Sequence, residues 1–172
     1  VNSYLNASSV LPAAGSNTND AIQVAGGSTS RAIQWHKFNI DYVVTSSPQV
    51  NAAGSLTIDP DVTVRFNNGI WLSIYGTLNA VGTSTDNITF TRNGTSWYGL
   101  YFDGSSTGNL EYCTIEYASY GVNRGGGTPN VSNCTIRNCT YGYYGNSIGT
   151  FTGNAVQSCQ DGIYLTNATS PV

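Results

Sequence analysis

The chain has 172 residues, of which 9% are Asp, Glu, Lys or Arg, with a formal net charge of −3. Ordinary soluble domains carry roughly 25% charge, so a salt-bridged helical bundle, a coiled coil and charge-driven disorder are all excluded. No basic footprint for nucleic acid exists, and no stretch approaches the ~20 apolar residues needed to span a bilayer. Twenty glycines and twelve tyrosines, among many Asn, Ser and Thr, point instead to turn-rich β-structure.

Residues 1–35 are rich in Ala, Ser, Gly and Asn, with apolar clusters at Val10-Leu11 and Ala21-Ile22-Gln23-Val24. They are expected to form an N-terminal cap or arm, with the repeat domain covering 36–172. The chain contains no methionine and opens on Val1, from which loss of a secretory leader is expected. Seven Asn-x-Ser/Thr sequons begin at Asn6, Asn87, Asn93, Asn130, Asn133, Asn138 and Asn167 and are candidate N-glycosylation sites. Together these features predict an extracellular or cell-surface location.

From about residue 40 the chain repeats. One apolar column runs Leu56, Leu78, Leu100, Val122, Tyr143, Ile163, with steps of 22, 22, 22, 21 and 20. A second, Val44, Phe66, Ile88, Leu110, Val131, Phe151, takes the same steps. Gly99, Gly121, Gly142 and Gly162 make a third column where the backbone must be permissive. Within each repeat the apolar residues alternate, as in Val62-Thr-Val64-Arg-Phe66 and Ile88-Thr-Phe90. A period of 20–22 with about three short strands per turn predicts a single-stranded parallel β-helix, an all-β solenoid of about six coils. Each coil stacks its inward residues on those of its neighbours.

The segments Gly54-Ser-Leu-Thr-Ile-Asp-Pro-Asp-Val-Thr-Val-Arg-Phe66, Gly76-Thr-Leu-Asn-Ala-Val-Gly-Thr83 and Asn133-Cys-Thr-Ile-Arg-Asn138 resemble right-handed parallel β-helix repeat proteins of the pectin-lyase-like superfamily. The resemblance covers roughly residues 40–165 and implies right-handed coiling. It also implies kinship with secreted, surface-layer or sheath-type structural members from archaea and bacteria. It says little about activity, because one fold hosts many functions.

Enzymes of that superfamily use clustered Asp with Arg or His. Inverting hydrolysis wants two carboxylates about 6.5–9.5 Å apart, which is close to two coils at ~4.8 Å each. Asp59 and Asp103 share a repeat offset two coils apart, whereas Asp59-Pro60-Asp61 reads as a turn. No third acid, His or Lys is expected beside either pair, and His36 reads as a surface or capping residue. Catalytic, metal and cofactor sites are therefore not expected. The cysteines follow the repeat: Cys113 and Cys134 are 21 apart, Cys139 and Cys159 are 20 apart. Stacked free thiols and cross-coil disulfides both stand open, with a bridge to another molecule as a third reading. Glu116 and Arg137, also 21 apart, should pair on the outside, for at most about 1 kcal/mol.

The strongest surface feature is aromatic. Tyr98, Tyr120 and Tyr141 form one column ended by Asp161, and Tyr101, Tyr144 and Tyr164 form another interrupted by Asn123. Such strips suit a neighbouring subunit or a row of sugar rings. Thr57, Thr63, Thr83, Thr89 and Thr91 do not share a column, which argues against a threonine-ladder face. The last coil ends near Leu165, and the few residues after it hardly cover an open end. The expected function is a non-catalytic structural protein that polymerises head-to-tail or laterally into a filament, sheath or surface layer. The alternative is a polysaccharide-binding or polysaccharide-degrading β-helix module.

Overall fold

The computed structural model describes residues 20–166. Every regular element among them is a strand, because apolar residues alternate with polar ones in runs of two to seven cut by Gly, Asn and Asp. The first coil holds β1 (Ala21–Val24), β2 (Gly27–Thr29) and β3 (Ala32–Trp35), and the second β4 (Asp41–Val44), β5 (Pro48–Val50) and β6 (Ser55–Ile58). The third holds β7 (Thr63–Phe66), β8 (Trp71–Ile74) and β9 (Thr77–Val81), and the fourth β10 (Ile88–Arg92), β11 (Trp97–Phe102) and β12 (Thr107–Glu111). Next come β13 (Cys113–Glu116), β14 (Ala118–Arg124) and β15 (Thr128–Ser132), then β16 (Thr135–Arg137), β17 (Tyr141–Gly145) and β18 (Phe151–Thr152). β19 (Ala155–Gln157) and β20 (Asp161–Leu165) begin a seventh coil.

The first, second and third strands of successive coils line up as three parallel sheets, here A, B and C, of seven, seven and six strands. The expected all-β parallel solenoid is therefore present, with about seven coils where the period predicts about six. The added coil is the first. Ala21–Trp35 pairs in register with the second coil, with Ile22 on Tyr42 and Ile33 on Leu56. The described part of the expected 1–35 cap is thus a coil of the stack, since Ala21-Ile-Gln-Val24 and Ala32-Ile-Gln-Trp35 carry the same alternation as later strands. Residues 1–19, with Val10, Leu11 and Asn6, lie outside the described residues, as do 167–172 with Asn167.

The core is the inside of the coil. Val64, Phe90, Ile115 and Ile136 stack in sheet A, and Leu72, Leu100, Val122 and Tyr143 in sheet B; each is 1% exposed or less. Burying each such side chain is worth about 1.5–3 kcal/mol, and a lone coil could not collect it. Trp97 lies flat on Phe66, centroids 4.2 Å apart, and its indole N–H donates to Glu116 O at 2.9 Å. The largest core ring thus leaves no polar atom unmet.

The constant 22-residue columns hold only in part. Leu56 does stack on Leu78, and Val44 on Phe66. Leu78 then meets Gly108 in sheet C, whereas Leu100 sits in sheet B between Leu72 and Val122. Likewise Phe66 faces Arg92 rather than Ile88, and Leu110 belongs to sheet C. The cause is longer corners around the fourth coil, where register partners are 28 apart (Leu72 and Leu100) or 30 apart (Leu78 and Gly108). Every sheet presents alternating inward residues, so a 22-residue step over a lengthened corner lands on the inward face of a different sheet. From Leu100 and Leu110 onward the corners are uniform and both columns run as expected.

Within the glycine column, Gly121 and Gly142 mark close approaches of neighbouring coils. A Cβ on Gly121 would stand 2.6 Å from Gly142 O and 2.6 Å from Ile136 Cγ2, and one on Gly142 would stand 2.5 Å from Gly162 O. Gly99 departs from the column: it has φ +131° and sits at a bulge that pairs it with Tyr120. Since the obstacles at Gly121 include backbone, Gly121→Ala should lower the unfolding free energy by about 1–3 kcal/mol. Chemical denaturation of the two proteins measures this, and an unchanged midpoint would refute the close-approach reading.

Candidate functional site: an aromatic strip on sheet B

Outward positions of sheet B gather seven rings into one strip. Trp71 heads it and touches Tyr98, Tyr101 and Tyr120 at centroid distances of 5.3, 5.6 and 5.6 Å. Tyr120 stacks on Tyr141 at 5.1 Å and 14°, and Tyr144 on Tyr164 at 5.4 Å and 3°. Edge contacts of Tyr144 with Tyr120 and Tyr141, and of Tyr164 with Tyr141, join the two columns. All six expected tyrosines are therefore brought together. Tyr98 lies one place out of register because of the bulge at Gly99.

Trp71 is the member that sequence reasoning misses. It pairs with Gly99 across a 28-residue step, outside the 22-residue frame. The alternation of Trp71-Leu-Ser-Ile74, with Leu72 and Ile74 inward, is the signal that exposes it.

The rings in the middle of the strip turn their faces and edges on one another. Burial, together with Asp103, holds the Tyr101 hydroxyl above its ordinary range. Desolvation, helped by Asp161 and the neighbouring phenols, does the same for Tyr141. Near neutral pH these two phenols are uncharged and able both to donate and to accept. Asp161 is the only charged side chain in the two tyrosine columns of β11, β14, β17 and β20.

The other two sheets carry polar ladders. In sheet A, Thr63, Thr89, Thr114 and Thr135 are vertical neighbours, which corrects the expectation that Thr63 and Thr89 share no column. In sheet C, Asn130 donates to Asn109 at 3.1 Å and Asn109 to Asn79 at 3.3 Å, beside Thr77, Thr107 and Thr128.

The acids do not form the arrangement tested for hydrolysis. Asp59 follows a strand of sheet C and Asp103 a strand of sheet B, so the two stand at different corners. Asp61, with φ +62°, and Asp59 flank a turn at Pro60, as expected. The expectation that no His or Lys adjoins them is overturned. His36 Nδ1 lies 3.0 Å from Asp59 Oδ2, Gln34 donates to Asp59 Oδ1 at 2.6 Å, and Lys37 Nζ reaches Asp61 Oδ2 at 3.0 Å. Burial pushes the Asp59 carboxyl up, but hydrogen bonds from Gln34, His36 and the Lys37 N–H, with the His36 charge, outweigh it and hold it below the usual range. Among the described residues no three His, Cys, Asp or Glu side chains could together hold a metal ion.

Glu116 and Arg137 do pair, at 2.8 Å, but Glu116 is buried rather than exposed and also accepts from Thr91 Oγ1 at 2.9 Å. All four cysteines are free thiols. Cys113 stacks on Cys134, its N–H 3.4 Å from Cys134 Sγ. Contact with Cys134 and burial push the Cys113 thiol well up, and burial pushes Cys139 up to about 12.

The sequons differ in how they are held. Asn87 can donate to Tyr112 O and Thr83 O, Asn93 donates to Asn67, Asn130 to Asn109, and Asn133 to Glu111. Asn138 is exposed at a corner with φ +56°, its backbone N–H donating to Gln157 O at 3.3 Å, and among the described residues its side-chain amide has no hydrogen-bond partner.

Three parallel sheets wound by one chain, with outward ladders and an apolar interior, define a β-helix. A family model described as a right handed beta helix region matches residues 68–172, more than half of the chain, and the protein belongs to that family. Comparison with curated proteins and with solved structures returns no match.

Two outcomes follow from this geometry. The Asp59 carboxyl is lower in the folded chain than in the unfolded one, so its contribution to stability is complete above about pH 4 and fades as pH falls through the folded value. Asp59→Asn should therefore flatten the acid limb of a stability–pH curve below pH 4 while lowering stability at pH 7; parallel acid limbs would contradict it. Iodoacetamide on the native protein should label Cys159, which is partly exposed, well before Cys113, Cys134 and Cys139. Peptide mass spectrometry reads the order, and equal labelling would overturn it.

Proposed function

We propose that this protein is a non-catalytic structural β-helix of the cell exterior that packs laterally against a second copy of itself through the aromatic strip of sheet B. The observation that carries the reading is the direction of the rings. Tyr120, Tyr141, Tyr144 and Tyr164 use their faces on one another, so few faces remain for a stacked sugar. What they offer is a surface of ring edges and hydroxyls with few charged side chains. Tyrosine-rich, charge-poor surfaces of this kind are enriched in the centres of protein interfaces. The density of sequons supports the cell exterior as the location.

A second reading, binding of an extended glycan, draws on Tyr98 and Tyr164. They are the most exposed rings of the strip, at 45% and 44%, and lie towards its two ends.

Sedimentation velocity across a concentration series tests the first reading. The wild-type chain should associate reversibly, and Tyr120→Ser combined with Tyr141→Ser should weaken association roughly tenfold or more. A wild-type protein that stays monomeric at every concentration would overturn lateral packing. Binding of that monomer to a glycan array, lost on Tyr98→Ala with Tyr164→Ala, would install the second reading.

A further inference from the structure

A different face carries an independent proposal. The corner between sheets A and B is tight in the fifth to seventh coils, where a single left-handed residue turns the chain: Tyr117, Asn138 and Ser158, with φ of +57°, +56° and +55°. In the fourth coil the same corner is the longer segment 93–96. Thr95 and Ser96 of that segment line the upper end of a groove of about 380 Å³ running down the corner. Arg92, Thr95, Tyr117, Asn138, Ser158 and Gln160 are among its lining residues, and no Asp or Glu is.

Two features single out Arg92. Its guanidinium lies 4.0 Å above the centre of the Tyr117 ring, while Nη1 donates to Thr95 O at 2.9 Å, so its plane is fixed from two sides. Lys37, Arg65 and Arg137 each pair with an acid, whereas among the described residues no carboxylate pairs with Arg31, Arg92 or Arg124, and of these three only Arg92 lies over an aromatic ring. A pre-oriented cation is thus held over a groove of hydroxyls and amides in a chain that is acidic overall. Tyr117 is also an unusual choice for its place. A bulky residue at positive φ is strained, and the coils after it fill the position with Asn and Ser, of which Asn takes that conformation readily. The ring that holds Arg92 is kept at a conformational cost.

We propose that the groove is a binding site for an oxyanion, a carboxylate, sulfate or phosphate group, that takes charge-assisted hydrogen bonds from Arg92 above the Tyr117 ring. The hydroxyls and amides of Thr95, Asn138, Ser158 and Gln160 are placed to meet polar groups attached to that anion.

Amide chemical shifts of the full chain, titrated with sodium sulfate, sodium phosphate and sodium glucuronate at constant ionic strength, test it against a chloride control. Saturable shifts at Tyr117 and Gln160 are expected with at least one of these anions, and Arg92→Ala should weaken binding roughly tenfold. Saturation by the inorganic ions would identify a free oxyanion site, and saturation by glucuronate alone a sugar-borne one. Tyr117→Asn separates binding from packing: it relieves the strained turn, so the melting temperature should hold or rise while binding falls. The proposal fails if no anion gives a saturable shift, if Arg92→Ala leaves the shifts unchanged, or if Tyr117→Asn melts lower with binding intact. None of these readouts depends on association through sheet B.

Discussion

Each coil of this protein has an inward face too small to bury itself, and the structure depends on in-register contact between one coil and the next. Inward residues such as Leu100, Val122 and Tyr143 lose their exposure because a like residue sits above or below them. The same register brings backbones within reach at Gly121 and Gly142, where nothing larger than hydrogen fits without displacement. Hydrophobic burial and backbone pairing are therefore one constraint, set by side-chain direction in a parallel sheet.

That constraint binds strands and spares corners. The corners differ in length by several residues around the fourth coil, yet the pairing on either side stays in register. Loop closure entropy grows slowly with length, so such insertions cost little. The surface features with chemical character follow this division. The aromatic strip belongs to strands and inherits their vertical order, whereas the Arg92–Tyr117 groove exists because one corner is longer than those after it.

What the sequence discloses divides along the same line. Tyr101, Asn123, Tyr144 and Tyr164 can be aligned by counting because the corners between them are nearly constant. Counting fails from Leu78 to Leu100, where a longer corner moves the frame from sheet C to sheet B without breaking the apolar alternation. The same shift hides Trp71 from the tyrosines and separates Thr63 and Thr89 from Thr114 and Thr135. Placing residues 1–35 outside the repeat conceals the contacts of Gln34, His36 and Lys37 with Asp59 and Asp61, which only a first coil in register can create. Ring orientation in the strip is not written in spacing at all, because it follows from how neighbouring side chains share a crowded surface.

A stack of coils also acts as a ruler. Each additional coil advances the surface by about 4.8 Å, and the rows on sheets A and C need only a threonine or an asparagine to continue. A chain built this way can lengthen its contact surface in fixed increments without redesigning its interior. Its reach toward any partner is then set by coil number, a quantity that duplication of some twenty residues can change in a single step.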